Sequence, residues 1–160
     1  MPLKRYLYKP NRNYSSMELF NNLSLEEQQT LLKFPAYITI LASNADGKVD
    51  DAEKDAAIDL THIRSYKSDA KLSSFYKEVE KVFEKNMEEL ISHLPENKEE
   101  KEAAIVSELK KIEAILLKLG YSYTKSMHES MRTFKEHVSN AHNNVLQGFI
   151  FPIPIKGITE

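Results

Sequence analysis

Ile38 to Leu60 reads ITILASNADGKVDDAEKDAAIDL, and the parsing of this stretch decides the fold. An apolar run leads into a polar turn, Asn44-Ala45-Asp46-Gly47-Lys48-Val49-Asp50, and a second run of helical period follows. Gly47 can take a positive φ at no steric cost, so it can reverse the chain directly after a helix. Asp50 then stands where an N-cap is needed, with Glu53 three residues on. That is the capping-box spacing, in which each side chain satisfies a free backbone N–H of the new helix. The cap is worth about 1 kcal/mol. Asp51 and Glu53 fall in the first turn, where the helix dipole favours negative charge. The stretch is therefore helix, tight acidic turn, helix.

The same period continues outward. Residues 16–22 carry a short first helix. Ser24-Leu25-Glu26-Glu27 is a second capping box and starts a helix to Phe34. Pro35 ends it and suits the first turn of the next. The central pair ends near Tyr66, with Lys67-Ser68-Asp69 as a break. From 70 to 94, Leu72, Phe75, Val79, Phe83, Leu90 and Ile91 recur at three- and four-residue steps, and Pro95 stops the run. Asn97-Lys98-Glu99-Glu100 is a third capping box. It opens a helix through Ile105, Leu109, Ile112, Leu116 and Leu119 that Gly120 closes. The last helix spans Thr124 to Leu146 on a stripe of Met127, Met131, Phe134, Val138, Ala141 and Val145. The charge-rich runs between these stripes are solvated helix faces. The expected fold is all-α: a single-domain bundle of about six helices over residues 16–148. A 1–15 extension precedes it, and an extended apolar tail, 149–160, follows.

The bounds agree. A chain of 160 residues makes one domain and can bury a real core. Four glycines argue against a turn-rich β fold. There is no cysteine, which excludes disulfides, thiolate metal sites and cysteine nucleophiles, and accords with a cytoplasmic location. The net charge of −2 gives no global pull toward nucleic acid or anionic membrane. No apolar run reaches the 18 residues of a membrane span, and the first residues lack the apolar core of a secretory signal. Lys4, Arg5, Lys9 and Arg12 alternate with Tyr6, Tyr8 and Tyr14, a pattern read as an extension lying on the bundle rather than a nucleic-acid surface.

Chemistry-bearing motifs are sparse. The five histidines, His62, His93, His128, His137 and His142, form no Glu-x-x-His pair and no His-Glu-x-x-His, and are read as surface or half-buried. There is no glycine-rich phosphate loop and no nucleophile elbow. The expectation is a non-enzymatic protein. The acidic turn is the one candidate site. Aligning Gly47 with the sixth position of a calcium loop puts the ligand positions on Ala42, Asn44, Asp46, Asp50 and Glu53. Alanine at the first position departs from a true EF-hand. The remaining donors, Asn44, Asp46, Asp50 and Glu53 with the Lys48 carbonyl, suit a weak site for a hard cation, Ca²⁺ before Mg²⁺. The alternative assigns Asp50 and Glu53 to capping alone.

The segment Ala45-Asp46-Gly47-Lys48-Val49-Asp50-Asp51-Ala52-Glu53 between two helices resembles the TerB-like, tellurite-resistance family. Its aspartate-glycine turn, with an acidic residue six positions after the glycine, matches Asp46, Gly47 and Glu53, with Asp50 between them. Pro35 and Tyr37 fit the opening of the preceding helix, and Leu119-Gly120-Tyr121-Ser122 resembles the break between the family's last helices. The likeness covers residues 30–66 closely and 100–140 loosely. Many members carry a second aspartate-glycine turn, which this chain lacks. The resemblance implies a helical, stress-associated module with an acidic cation site.

The tail, GFIFPIPIKGITE, is of another kind. Phe149, Ile150, Phe151, Ile153, Ile155 and Ile158 are apolar, and two prolines forbid a helix. It is expected to be extended and to dock into a groove of its own bundle, or to join a protein partner or a second copy through Phe149–Ile158.

Overall fold

The computed structural model describes residues 20–43 and 48–141. Six helical segments follow one another: α1 Leu25–Leu32, α2 Phe34–Ala42, α3 Asp51–Lys67, α4 Ala70–His93, α5 Lys98–Lys118 and α6 Tyr121–Asn140. Only Lys33 separates the first two, serving as C-cap of one and N-cap of the other. They can equally be counted as one bent helix, which makes five. No strand occurs among the described residues, as the helical period requires.

Capping chemistry sets the starts. Ser24 accepts from the Glu27 N–H at 3.1 Å, and Glu27 accepts from the Ser24 N–H at 3.2 Å, a complete box. Asn97 caps α5 by accepting from the Glu100 N–H at 3.1 Å; the return bond is not made, so this box is half of what the spacing predicts. Asp69 caps α4 through the Lys71 N–H at 2.9 Å. Pro35 occupies the first turn of α2, where its missing donor costs nothing. The expected helix to Phe34 ends at Leu32, because Phe34 turns inward as the first residue of α2.

α2 is the central helix. All nine of its residues are buried, the pattern of a helix surrounded on every side. It touches each of the other five, and α6 most extensively. The buried hydroxyl of Thr39 donates to the Pro35 carbonyl at 2.8 Å and so is itself paired. α3 and α4, joined through Ser68 and Asp69, form the most extensive pair. α5 is tied to α1 by Lys118 Nζ and Glu27 Oε2 at 2.6 Å, and this ammonium holds the Glu27 carboxyl below its usual range.

α6 starts at Tyr121, three residues before the expected Thr124. Gly120, at φ 93 and ψ 163, makes the turn that allows it. Thr124 instead sits inside the first turn, its hydroxyl placed against the carbonyls of Leu116 at 2.8 Å and Gly120 at 2.9 Å. Met127, Met131, Phe134 and Val138 are fully buried as their spacing predicts. Ala141 is exposed, so it does not belong to the buried stripe. Of the first helix expected over 16–22, Phe20 and Asn21 are helical and Asn22 is a turn residue, while residues 16–19 lie outside the described residues, as do Val145, Leu146, the 1–15 extension and the tail at 149–160.

Candidate functional site

The acidic turn comes first. Asn44, Asp46 and Gly47 lie outside the described residues. Asp50 and Glu53 are described, and they form the capping box that their spacing predicts. Asp50 Oδ1 accepts from the Glu53 N–H at 2.9 Å, and Glu53 Oε2 accepts from the Asp50 N–H at 3.1 Å. Glu53 is 1% exposed, deep enough that an unpaired carboxylate would be costly. The backbone donor compensates it, and both residues take part in further interactions. The two carboxylates are thus adjacent, and one oxygen of each is committed to the helix start. Among the described residues no three histidines or carboxylates gather where they could hold a metal ion.

Next to this turn lies a groove of about 460 Å³. Its apolar wall comes from Ile40 on α2, Val49 at the end of the turn, Ile91 on α4, and Leu94 and Pro95 just beyond α4. Lys48, Glu96 and Lys101 line it with charge. Ile91 corrects the expected stripe. It keeps helical spacing, yet it is 54% exposed. The reason lies in the packing around it. Leu90 takes the inward direction at this level, and Pro95 ends the helix before another element covers its neighbour. Adjacency to Leu90 does not by itself decide this, since the adjacent pair Phe75 and Tyr76 on the same helix is buried together.

The histidines do not assemble. His62, His93 and His137 are exposed, and His142 lies outside the described residues. His62 Nδ1 meets Glu80, and that bond keeps the Glu80 carboxyl below its ordinary value. His128 overturns the surface reading. It is 1% exposed, and its Nε2 bonds Glu113 Oε2 at 2.7 Å, joining α6 to α5. A buried histidine held by a half-buried carboxylate in this way staples two helices.

No helix among the described residues is long and apolar enough to cross a membrane. In comparison with known proteins, no family model, curated protein or solved structure matches this chain.

Proposed function

We propose that this chain is a non-enzymatic helical binding module that docks an extended apolar segment of a protein partner in the groove beside the acidic turn. The observation that carries the reading is Ile91, a large apolar side chain left uncovered beside Val49, Leu94 and Pro95. Concave apolar walls with a few polar groups are what binding sites are made of. Two lysines against one glutamate favour an apolar segment of neutral or slightly acidic character. A peptide held extended by prolines suits such a groove, since it loses little entropy on docking. A second copy of this chain, offering its own apolar tail, is one source of such a segment.

The test uses the chain's own sequence as probe. Isotope-labelled full-length protein is titrated with an unlabelled peptide, GFIFPIPIKGI. The expected result is saturable amide shifts at Ile40, Val49, Ile91, Leu94 and Lys101, lost in Ile91→Glu. Shifts that are absent, or that persist in the variant, overturn the groove as the site.

A second reading keeps the TerB-like resemblance: a weak Ca²⁺ site, with a dissociation constant no better than about 10⁻⁴ M. What favours it is the adjacency of the Asp50 and Glu53 carboxylates. Asp46 is the carboxylate that capping does not use. Ca²⁺-induced amide shifts confined to residues 44–53, and lost in Asp46→Asn, would support it. A turn unmoved by millimolar Ca²⁺ would reject it. Under either reading the association with stress or tellurite resistance rests on the family resemblance alone.

A further inference from the structure

Arg64 is a half-buried cation that makes no direct ion pair with a carboxylate among the described residues. It sits on α3 and reaches between α4 and α6. Its guanidinium carbon lies 5.6 Å from the centre of the Tyr76 ring and 5.4 Å from that of Phe134. Nη1 donates to the Tyr76 hydroxyl at 3.0 Å, to the Ser130 carbonyl at 2.6 Å and to Ser130 Oγ at 2.7 Å. Nη2 donates to Thr133 Oγ1 at 2.9 Å. Every acceptor is neutral, and burial raises the Tyr76 phenol above its ordinary pKa, so it stays neutral.

The donors can be counted. A guanidinium has five N–H groups. The bonds above use both hydrogens of Nη1 and one of Nη2. The Nε–H and the second Nη2 hydrogen have no partner among the described residues. Nε is not sealed away, because Ser139 Oγ is the only fully buried side-chain polar atom without a partner among the described residues. Nε therefore keeps contact with solvent, and Arg64 lines a cleft of about 450 Å³ between α3 and α6. Leu60, Ile63 and Leu72 give this cleft an apolar side, and Ser126 and Lys67 line it with polar groups.

We propose that this cleft binds a small organic monocarboxylate. Its carboxylate sits on the open Nε–H of Arg64 and its aliphatic tail against Leu60, Ile63 and Leu72. The charge inventory sets the valence. Arg64 and Lys67 are matched by Asp69 and Glu129, which line the same cleft. One Asp69 oxygen is already used to cap α4, and Glu129 is exposed, where water screens it. A single carboxylate satisfies the open Arg64 donor, whereas a phosphorylated ligand brings more negative charge than the cleft can balance. The rings and hydroxyls hold the guanidinium in place, so binding need not order a long flexible side chain. The volume suits a small ligand.

The experiment follows the Nε–Hε resonance of Arg64 in the full chain during titration with sodium butyrate, against sodium chloride at matched ionic strength. The expected result is a saturable shift with a dissociation constant on the order of 1 mM, typical of so few contacts. n-Butanol, the same tail without the charge, should leave the resonance in place. Ser126→Glu supplies an internal carboxylate without disturbing the Arg64 clamp, and should weaken butyrate at least tenfold. Ile63→Ser changes a position already 39% exposed, so its fold is safe if Ser126→Glu fails to fold. It should weaken butyrate while leaving the response to formate unchanged. An Arg64 resonance that moves no further than in chloride overturns the proposal and leaves Arg64 as a clamp alone. So does a folded Ser126→Glu, or an Ile63→Ser, that binds butyrate as the wild type does.

Discussion

His128 on α6 and Glu113 on α5 meet at 2.7 Å with the histidine ring sealed from water. Removing the carboxylate leaves a buried ring nitrogen without its partner, and such orphaned groups cost about 1–3 kcal/mol. Glu113→Ala should therefore lower the urea-unfolding free energy by about that amount. Glu113→Gln, which keeps an acceptor in place, should recover most of it. A Glu113→Ala protein as stable as wild type would show that the pair contributes nothing.

The α3 cap gives a graded series. Asp50→Ala removes the acceptor for the Glu53 N–H and should cost about 1 kcal/mol in chemical denaturation. Asp50→Asn should be nearly silent, because asparagine caps as well as aspartate. If both variants lose equally, the charge of Asp50 matters beyond the cap.

Gly120 is a purely conformational case. A Cβ placed there meets nothing within 4 Å, yet its φ of +93 lies where side chains are strained. Gly120→Ala should cost about 1–3 kcal/mol from backbone strain alone. A D-alanine introduced by chemical ligation should cost almost nothing, and a similar loss with both would point to packing instead.

Stability should depend on alkaline pH in two opposed phases. Lys135 is 6% exposed, and burial lowers its ammonium from 10.5 to about 8. Between those values the unfolded chain holds a proton that the folded chain has released, so stability rises with pH across that window. Burial pushes the Tyr37 phenol up to about 12 and raises Tyr76 and Tyr123 as well. Above about pH 10 the unfolded phenols lose protons that the folded ones keep, so stability falls. Urea midpoints should peak near pH 10. Lys135→Met should raise the midpoint at neutral pH, with the gain shrinking as pH approaches the peak.

The fold was legible because its signals are local. Ser24, Asp50 and Asn97 announce helix starts within three residues of their partners, and the Met127–Val138 stripe follows from period alone. Half of the acidic turn was legible for the same reason, as Asp50 and Glu53 are three residues apart. Arg64 was not. No local pattern marks it, and its acceptors Tyr76, Ser130 and Thr133 stand 12, 66 and 69 positions away. Only tertiary packing brings them together. His128 was hidden likewise, its partner being fifteen residues back on another helix. The groove was not visible either: Ile91 keeps helical spacing in the sequence, and nothing local said that it would be left uncovered.

The central place of α2 sets an order of events during synthesis. α2 leaves the ribosome early, apolar on all sides, yet its most extensive partner is α6, the last described helix. Until residue 140 has emerged, Phe34 to Ala42 has no complete shelter, and exposed apolar surface of that kind invites aggregation. The nascent chain should therefore be a client of chaperones over most of its elongation, and a ribosome stalled before α6 should present a protease-sensitive product.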